Sequence, residues 1–321
     1  MTLEAPRASA TDCLTRLVDN VERVLLGKPE AVRLAIVGLL AEGHLLLEDV
    51  PGTGKTTLAR ALARSIDVDF ARVQFTADLL PSDVLGLSTH DPRTGGFTFH
   101  PGPIFTNIVL ADELNRTPPR TQSALLEAMN VRVVTVEGES RELQRPFLVI
   151  ATQNPLEFEG TYPLPESQLD RFLLRIRLGY PAREVERAVL RAQAGGDPLG
   201  ELEPVLDRAA LLTLVETARA VRVDERIEDY LLSVIEGTRR GGPFLLGASP
   251  RAALGLYRGA QAMACLEGRD YVVPDDVKRL AVPVLAHRVV PVERAGIGLG
   301  SGPDPAEELV AELVESVPVP Q

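Results

Sequence analysis

The stretch Leu45-Leu46-Leu47-Glu48-Asp49-Val50-Pro51-Gly52-Thr53-Gly54-Lys55-Thr56-Thr57 decides the fold. Its apolar start has the length of a buried strand. Pro51 and Gly52 turn the chain, and Thr57-Leu58-Ala59-Arg60-Ala61-Leu62-Ala63 opens a helix of good formers with an apolar stripe. Strand, glycine-containing loop and helix, in that order, are what a phosphate-binding loop requires. The backbone N–H groups of the loop and the positive end of the helix dipole converge on an anion. Pro51, Gly52, Thr53, Gly54, Lys55, Thr56 and Thr57 are therefore the candidate phosphate cradle. Lys55 is placed for the β- and γ-phosphates, and the Thr56 hydroxyl for Mg²⁺. The pattern G-x-x-x-x-G-K-[ST] asks for glycine at position 49, where this chain has Asp49. Aspartate is one of the few side chains that tolerates positive φ, so the departure weakens the match without breaking it.

Outward from this loop, the 321 residues allow one large or two ordinary domains, and 45% hydrophobic residues are ample for a core. A net charge of −11 argues against a general nucleic-acid binder. Cys13 and Cys265 make neither a disulfide framework nor a metal spacing, and read as reduced, buried residues of a cytoplasmic protein. His44, His90, His100 and His287 are scattered, which disfavours a histidine metal site. The N-terminal residues lack the apolar region of a signal peptide, and no apolar run approaches the roughly 18 residues of a membrane span.

In chain order, residues 1–11 read as a loose tail, followed by two helices that end at Gly43. After the loop and its helix, strands are expected over 70–75, 107–113, 146–154 and 173–178. The 107–113 strand ends in Asp112-Glu113 and the 146–154 strand in Asn154. Buried parallel strands run continuously apolar, and ligands of open α/β sheets bind at their carboxyl ends. Two further stretches read as hairpins: 88–99, around Thr94-Gly95-Gly96, and 131 onward, around Glu137-Gly138. Beyond Pro181 the pattern becomes helix after helix, with short strand pieces near Arg222 and Val289, which places a domain boundary at 180–181.

This order of residues suits phosphoryl transfer, which needs positioning and charge neutralisation more than covalent chemistry. Asp112 is placed to hold Mg²⁺, through water. Glu113 is the candidate general base for a water, which makes the reaction hydrolysis. Asn154 can orient the same water, although Asn-Pro is also a turn signal. A guanidinium is suited to stabilising transition-state charge in trans, which makes Arg171 a candidate. Arg251, in the Ser249-Pro250-Arg251 helix start, is placed to reach the γ-phosphate across the domain interface. Each reads equally as a surface ion pair, and the residues alone do not select these two among the chain's arginines.

The ordered motifs resemble the AAA+ ATPases, and specifically the MoxR family. The resemblance is carried by 46–56, by 74–86 (Gln-Phe-Thr-Ala-Asp-Leu-Leu-Pro-Ser-Asp-Val-Leu-Gly), by 111–129, by Ala-Thr-Gln-Asn-Pro at 151–155, by Leu-Pro-Glu-Ser-Gln-Leu-Asp-Arg-Phe at 164–172 and by Ser-Pro-Arg at 249–251. It implies an α/β fold: a P-loop core of parallel sheet between helices over 12–180 and an all-helical lid over 181–321. It implies Walker A at 52–57, Walker B at Asp112 and Glu113, sensor 1 at Asn154, an arginine finger at Arg171 and sensor 2 at Arg251. The hairpins become the helix-2 insert (about 87–99) and the pre-sensor-1 hairpin (about 132–144). Arg116 and Arg120 fall near the implied subunit interface, where either is able to share the role of Arg171. ATP and Mg²⁺ are the implied cofactors and a hexameric ring the implied assembly. Chaperone-like action on partners, among them proteins with von Willebrand factor A domains, is the implied role. A nucleotide-gated adaptor and a nucleic-acid motor are the alternative readings.

Overall fold

The computed structural model describes residues 4–90, 96–154, 160–292 and 304–320, with only the backbone of 4–9 and 193–195. Its centre is a five-stranded parallel sheet of β1 (His44–Glu48), β2 (Phe70–Gln74), β5 (Ile108–Asp112), β8 (Leu148–Gln153) and β9 (Phe172–Ile176), in the order β2-β5-β8-β1-β9. The interior strands β1 and β5 are buried along their whole length, as their unbroken apolar runs demand. The expected pieces at 88–99 and beyond 131 are antiparallel pairs: β3 (Gly86–His90) with β4 (Phe97–Pro101), and β6 (Val133–Val136) with β7 (Glu139–Glu142). Thr94 and Gly95 of the expected first turn lie outside the described residues. The hairpins touch where the Arg141 guanidinium sits 3.9 Å from the centroid of the Phe99 ring.

Helix α1 runs Glu4–Glu22, so the tail expected over 1–11 is helical from Glu4. Pro6 does not prevent this, because the first-turn N–H groups of a helix have no intrahelical partner to lose. Helix α2 (Pro29–Leu40) follows, and α3 (Lys55–Ile66) leaves the phosphate loop. After α4 (Pro81–Leu85), α5 (Pro119–Val131) and α6 (Glu166–Leu169), the C-terminal half holds α7 (Arg183–Gly195), α8 (Arg208–Arg219), α9 (Glu225–Arg239), α10 (Pro250–Leu266), α11 (Pro274–Leu285) and α12 (Pro305–Ser316). Side chains of Asp207, Asp224, Ser249 and Asp304 cap α8, α9, α10 and α12. The lid is not wholly helical: β10 (Phe244–Leu246) pairs with β11 (Val290–Pro291), and Arg222 bridges to Tyr271. The change of pattern at 180–181 does not divide the core, because one apolar cluster runs from Leu14 and Val32 through Leu45 and Leu174 to Leu256, Val284 and Val310. Cys265 is buried and Cys13 only partly so; both are free.

Ion pairs tie the last helix to the sheet. Arg175, on β9, and Arg177, the residue just after it, lie two apart in extended chain and so share a face. The buried Arg175 meets Glu48 Oε2 at 3.3 Å, Asp304 Oδ2 at 2.7 Å and Glu307 Oε1 at 2.9 Å, while Arg177 meets the same Glu48 oxygen at 2.9 Å. At the other end of β1, the buried His44 accepts from the Val149 amide at Nδ1 (3.0 Å) and donates from Nε2 to the Met129 carbonyl (3.0 Å). Burial is the main reason that His44 is pushed down to about 4, with Arg251 and Arg132 adding repulsion against the Met129 bond.

A histidine held neutral in the fold and protonated when unfolded stabilises fully above its ordinary pKa of about 6.5, and that contribution is lost as pH falls toward 4. For His44 the loss corresponds to about 3 kcal/mol. Unfolding midpoints should therefore decline between pH 6.5 and 4, and His44→Gln should flatten that slope. An unchanged slope in the variant would refute the assignment.

Candidate functional site

A cavity of about 340 Å³ opens at the carboxyl edge of the sheet. Of the expected cradle, Pro51, Gly52, Gly54, Lys55, Thr56 and Thr57 line it; the Thr53 side chain turns away, and its Oγ1 donates to the Val50 carbonyl at 3.2 Å. Gly54, with φ +102°, precedes the first residue of α3, and a Cβ there would lie 3.0 Å from Leu25 Cδ1. A left-handed backbone in so little space explains the glycine. Lys55 Nζ donates to the carbonyls of Asp49 (2.6 Å) and Val50 (2.9 Å).

Asp112, Glu113 and Asn154 reach the same cavity from the ends of β5 and β8. Asp112 is held at both oxygens: Thr152 Oγ1 donates to Oδ1 at 2.6 Å, and Arg72 donates to Oδ2 from Nη2 (2.6 Å) and Nε (3.1 Å). Glu113 Oε2 accepts from Gln74 Nε2 at 2.6 Å and lies 3.2 Å from Arg116 Nε. Arg116 therefore has a contact within its own chain, while Arg120 is exposed at the start of α5. Arg72, Gln74 and Thr152 were not anticipated. Their signal was available: each is a polar residue at or near the carboxyl end of a sheet strand. Pro155, the last residue of the 151–155 motif, lies outside the described residues.

Asp49 has a different task from the one expected. It is not among the residues with positive φ. Its Oδ1 accepts from the Val50 amide at 2.8 Å, and its Oδ2 accepts from the amides of Leu178 (2.9 Å) and Gly179 (2.5 Å), just beyond β9. Lys28 Nζ donates to the carbonyls of Gly179 (2.9 Å) and Tyr180 (3.0 Å). The phosphate loop is thus fastened to the connector that leads into α7.

Arg171 and Arg251 lie elsewhere. Arg171 immediately precedes β9, at the amino edge of the sheet. Five residues of strand put it roughly 16 Å from the carboxyl edge. Arg251 is beside it rather than at the phosphate loop, which corrects the expectation that it reaches the γ-phosphate of its own subunit. Arg171 donates to the Leu126 carbonyl and Arg251 to Asn130 Oδ1, one turn apart near the end of α5. Burial, then the Arg251 charge, pushes Arg171 below the usual arginine range, against an opposing contribution from Glu127.

Sheet order, glycine-bearing loop before a helix, paired acids and helical lid define a P-loop ATPase fold of the AAA type. Residues 44–174 match the family model described as "ATPase family associated with various cellular activities (AAA)", and 238–309 match the AAA lid domain. The chain is 49% identical over 308 residues to the uncharacterized protein YeaC of Bacillus subtilis, covering 96% of this chain and 95% of that one. It is 41% identical over 292 residues to Chaperone MoxR1 of Mycobacterium tuberculosis, covering 88% and 77%. A crystal structure of a protein from Cytophaga hutchinsonii, described as a "putative ATPase", superposes with a TM-score of 0.89 at 36% identity, over 99% and 98% of the two chains. The chain belongs to the MoxR family of AAA+ ATPases. No helix among the described residues is long and apolar enough to cross a membrane.

Asp49→Ala removes two amide bonds to a carboxylate that hold the loop to residues 178 and 179. Bonds of this kind contribute about 1.5–3 kcal/mol each, less where water competes. Urea unfolding should show a loss of about 2 kcal/mol, and an unchanged midpoint would remove the fastening role.

Proposed function

We propose that this chain is a ring-forming, magnesium-dependent ATPase that uses hydrolysis to remodel or activate partner proteins. One observation carries the reading. The phosphate loop, Asp112, Glu113 and Asn154 meet at one edge of the sheet, and two arginines suited to the same reaction stand at the other. Two copies of the chain make one complete site.

In this reading the amides of the loop and the start of α3 hold the phosphates, with Lys55 on the β- and γ-groups. Mg²⁺ keeps several waters and takes only one or two protein ligands beside phosphate oxygens. The Thr56 hydroxyl and the Asp112 carboxylate fit that need. Asp112 already accepts from Thr152 and Arg72, so it would hold the ion through water. An ion held by these residues would supply charge neutralisation at the phosphates. Glu113 takes the proton of the attacking water, and Asn154 orients that water. Arg171 and Arg251 of the neighbouring subunit stabilise the charge that develops on the transferred phosphoryl group.

The chaperone role rests on family membership, and the partners we propose are proteins with von Willebrand factor A domains. A hexamer is the proposed ring. Two free cysteines agree with work in the cytoplasm.

Glu113→Gln should keep ATP binding and lower turnover by about 10²- to 10⁴-fold. Unchanged turnover would remove Glu113 from the base role. The same variant, held in ATP, should retain a partner in affinity capture. Recovery of only this chain would count against remodelling.

A further inference from the structure

A third group joins the two segments that carry the arginines at the amino edge. Asp170 immediately precedes Arg171, and Ser249 lies two residues before Arg251. The Ser249 hydroxyl donates to the Asp170 carboxylate, with its oxygen 2.9 and 3.0 Å from Oδ1 and Oδ2, and it accepts from the Ala252 amide at 3.1 Å. Its proton is thus committed to the turn that enters β9 and a lone pair to the cap of α10. From the turn after α11, the buried Arg288 donates from Nη2 to the Phe172 carbonyl at 2.5 Å, and its Nε stands 3.6 Å from Asp170 Oδ1. Residues 170–172 are therefore gripped from two places in the lid, the start of α10 and the turn after α11.

The grip opposes a repulsion. Arg251 acts as a like charge on both Arg171 and Arg288, with Asp170 as a compensating carboxylate at Arg288. Left to themselves, guanidinium groups separate. Here Arg171 and Arg251 lie along one face of α5, one turn apart, on Leu126 and Asn130. We infer that Asp170 is a positioning residue: through Ser249 and Arg288 it sets the separation of Arg171 and Arg251, so the pair acts on a neighbouring subunit's phosphate as one unit, and only with the lid docked. This rests on the trans reading of the two arginines given above. It also supplies a physical reason for the Leu-Asp-Arg-Phe and Ser-Pro-Arg strings to occur in one chain, since the acid of the first binds the hydroxyl of the second.

The test is ATP turnover of the full-length protein, alone and in mixtures with Lys55→Ala subunits. Those subunits lack a working phosphate site but bring intact arginines. Asp170→Ala should lower kcat by about 10²-fold, the scale of a misplaced catalytic group, while KM for Mg-ATP stays within about twofold. Mixing should restore turnover, as it should for Arg171→Ala and Arg251→Ala. Ser249→Thr, which keeps the hydroxyl, should retain the activity that Ser249→Ala loses. Should Asp170→Ala fail to fold, Asp170→Asn keeps an acceptor for Ser249 and removes the charge facing Arg288; its smaller loss should also be restored by mixing. Two results overturn the inference alone: wild-type kcat in the Asp170 variants, or a loss that mixing does not repair while both arginine variants are repaired. Failure of mixing to restore either arginine variant removes the trans reading, and this inference with it.

Discussion

The polarity of a parallel strand constrains everything else in this molecule. Right-handed crossovers return the chain so that every sheet strand points the same way, and all the turns that follow strands gather on one edge. The phosphate loop follows β1, the acids follow or end β5, and Asn154 follows β8. Arg171 precedes β9 and is carried to the opposite edge by the same rule. No side chain spans the roughly 16 Å between them. In the proposed mechanism a single subunit therefore presents two halves of different sites, and the reaction reports on whether a neighbour is seated.

Three carboxylates flanking β1 carry the position of distant elements to that strand. Glu42, before it, meets Arg132 and Arg145 at 2.8 Å and also Arg219, which joins both roots of the second hairpin to α8. Glu48, at its end, meets Arg175 and Arg177, which also hold Asp304 and Glu307 at the start of α12. Asp49 fastens the next residues to the connector into α7. Burial opposes the charge on Glu42 and Glu48, and the facing arginines outweigh it, so both are held below the usual carboxylate range. Ion pairs with this much desolvation are weak evidence for stability and better evidence for a specified geometry. What they specify here is the placement of lid, hairpin and connector relative to the strand that feeds the phosphate loop.

Elements whose cause is local were legible in the sequence. Strands β1, β5 and β8 announced themselves as apolar runs bounded by polar ends, and the lid helices by caps at Asp207, Asp224 and Ser249. Both hairpins followed from alternation. The start of α1 was hidden because Pro6 reads as a breaker unless its place in the first turn is known. The role of Asp49 was hidden for another reason. Its partners, Leu178 and Gly179, are backbone amides some 130 residues away, and an amide has no sequence signature. Arg251 was misplaced because a helix start fixes where a residue lies along its helix, not which edge of the sheet that helix meets. Arg171 differs in this respect. Its place before a strand of a parallel sheet already determines the edge.

The acid pair shows how a local rule, broken once, makes a site. Successive side chains of a strand point to opposite faces, so Asp112 and Glu113 in extended conformation would diverge. The backbone of Glu113 is left-handed instead, at φ 58° and ψ 47°, which costs about 1 kcal/mol or more in a residue with a long side chain. Thr152 holds the turn in place: its Oγ1 accepts from the Glu113 amide at 2.9 Å while donating to Asp112 Oδ1 at 2.6 Å. One hydroxyl on the neighbouring strand thus binds both residues, and both carboxylates enter one cavity. The strain sits at the position to which the proposed chemistry assigns the base, and the pin comes from β8, the strand that delivers Asn154. The residues proposed as base, metal-holding acid and water-orienting amide are therefore set by a single pair of adjacent strands.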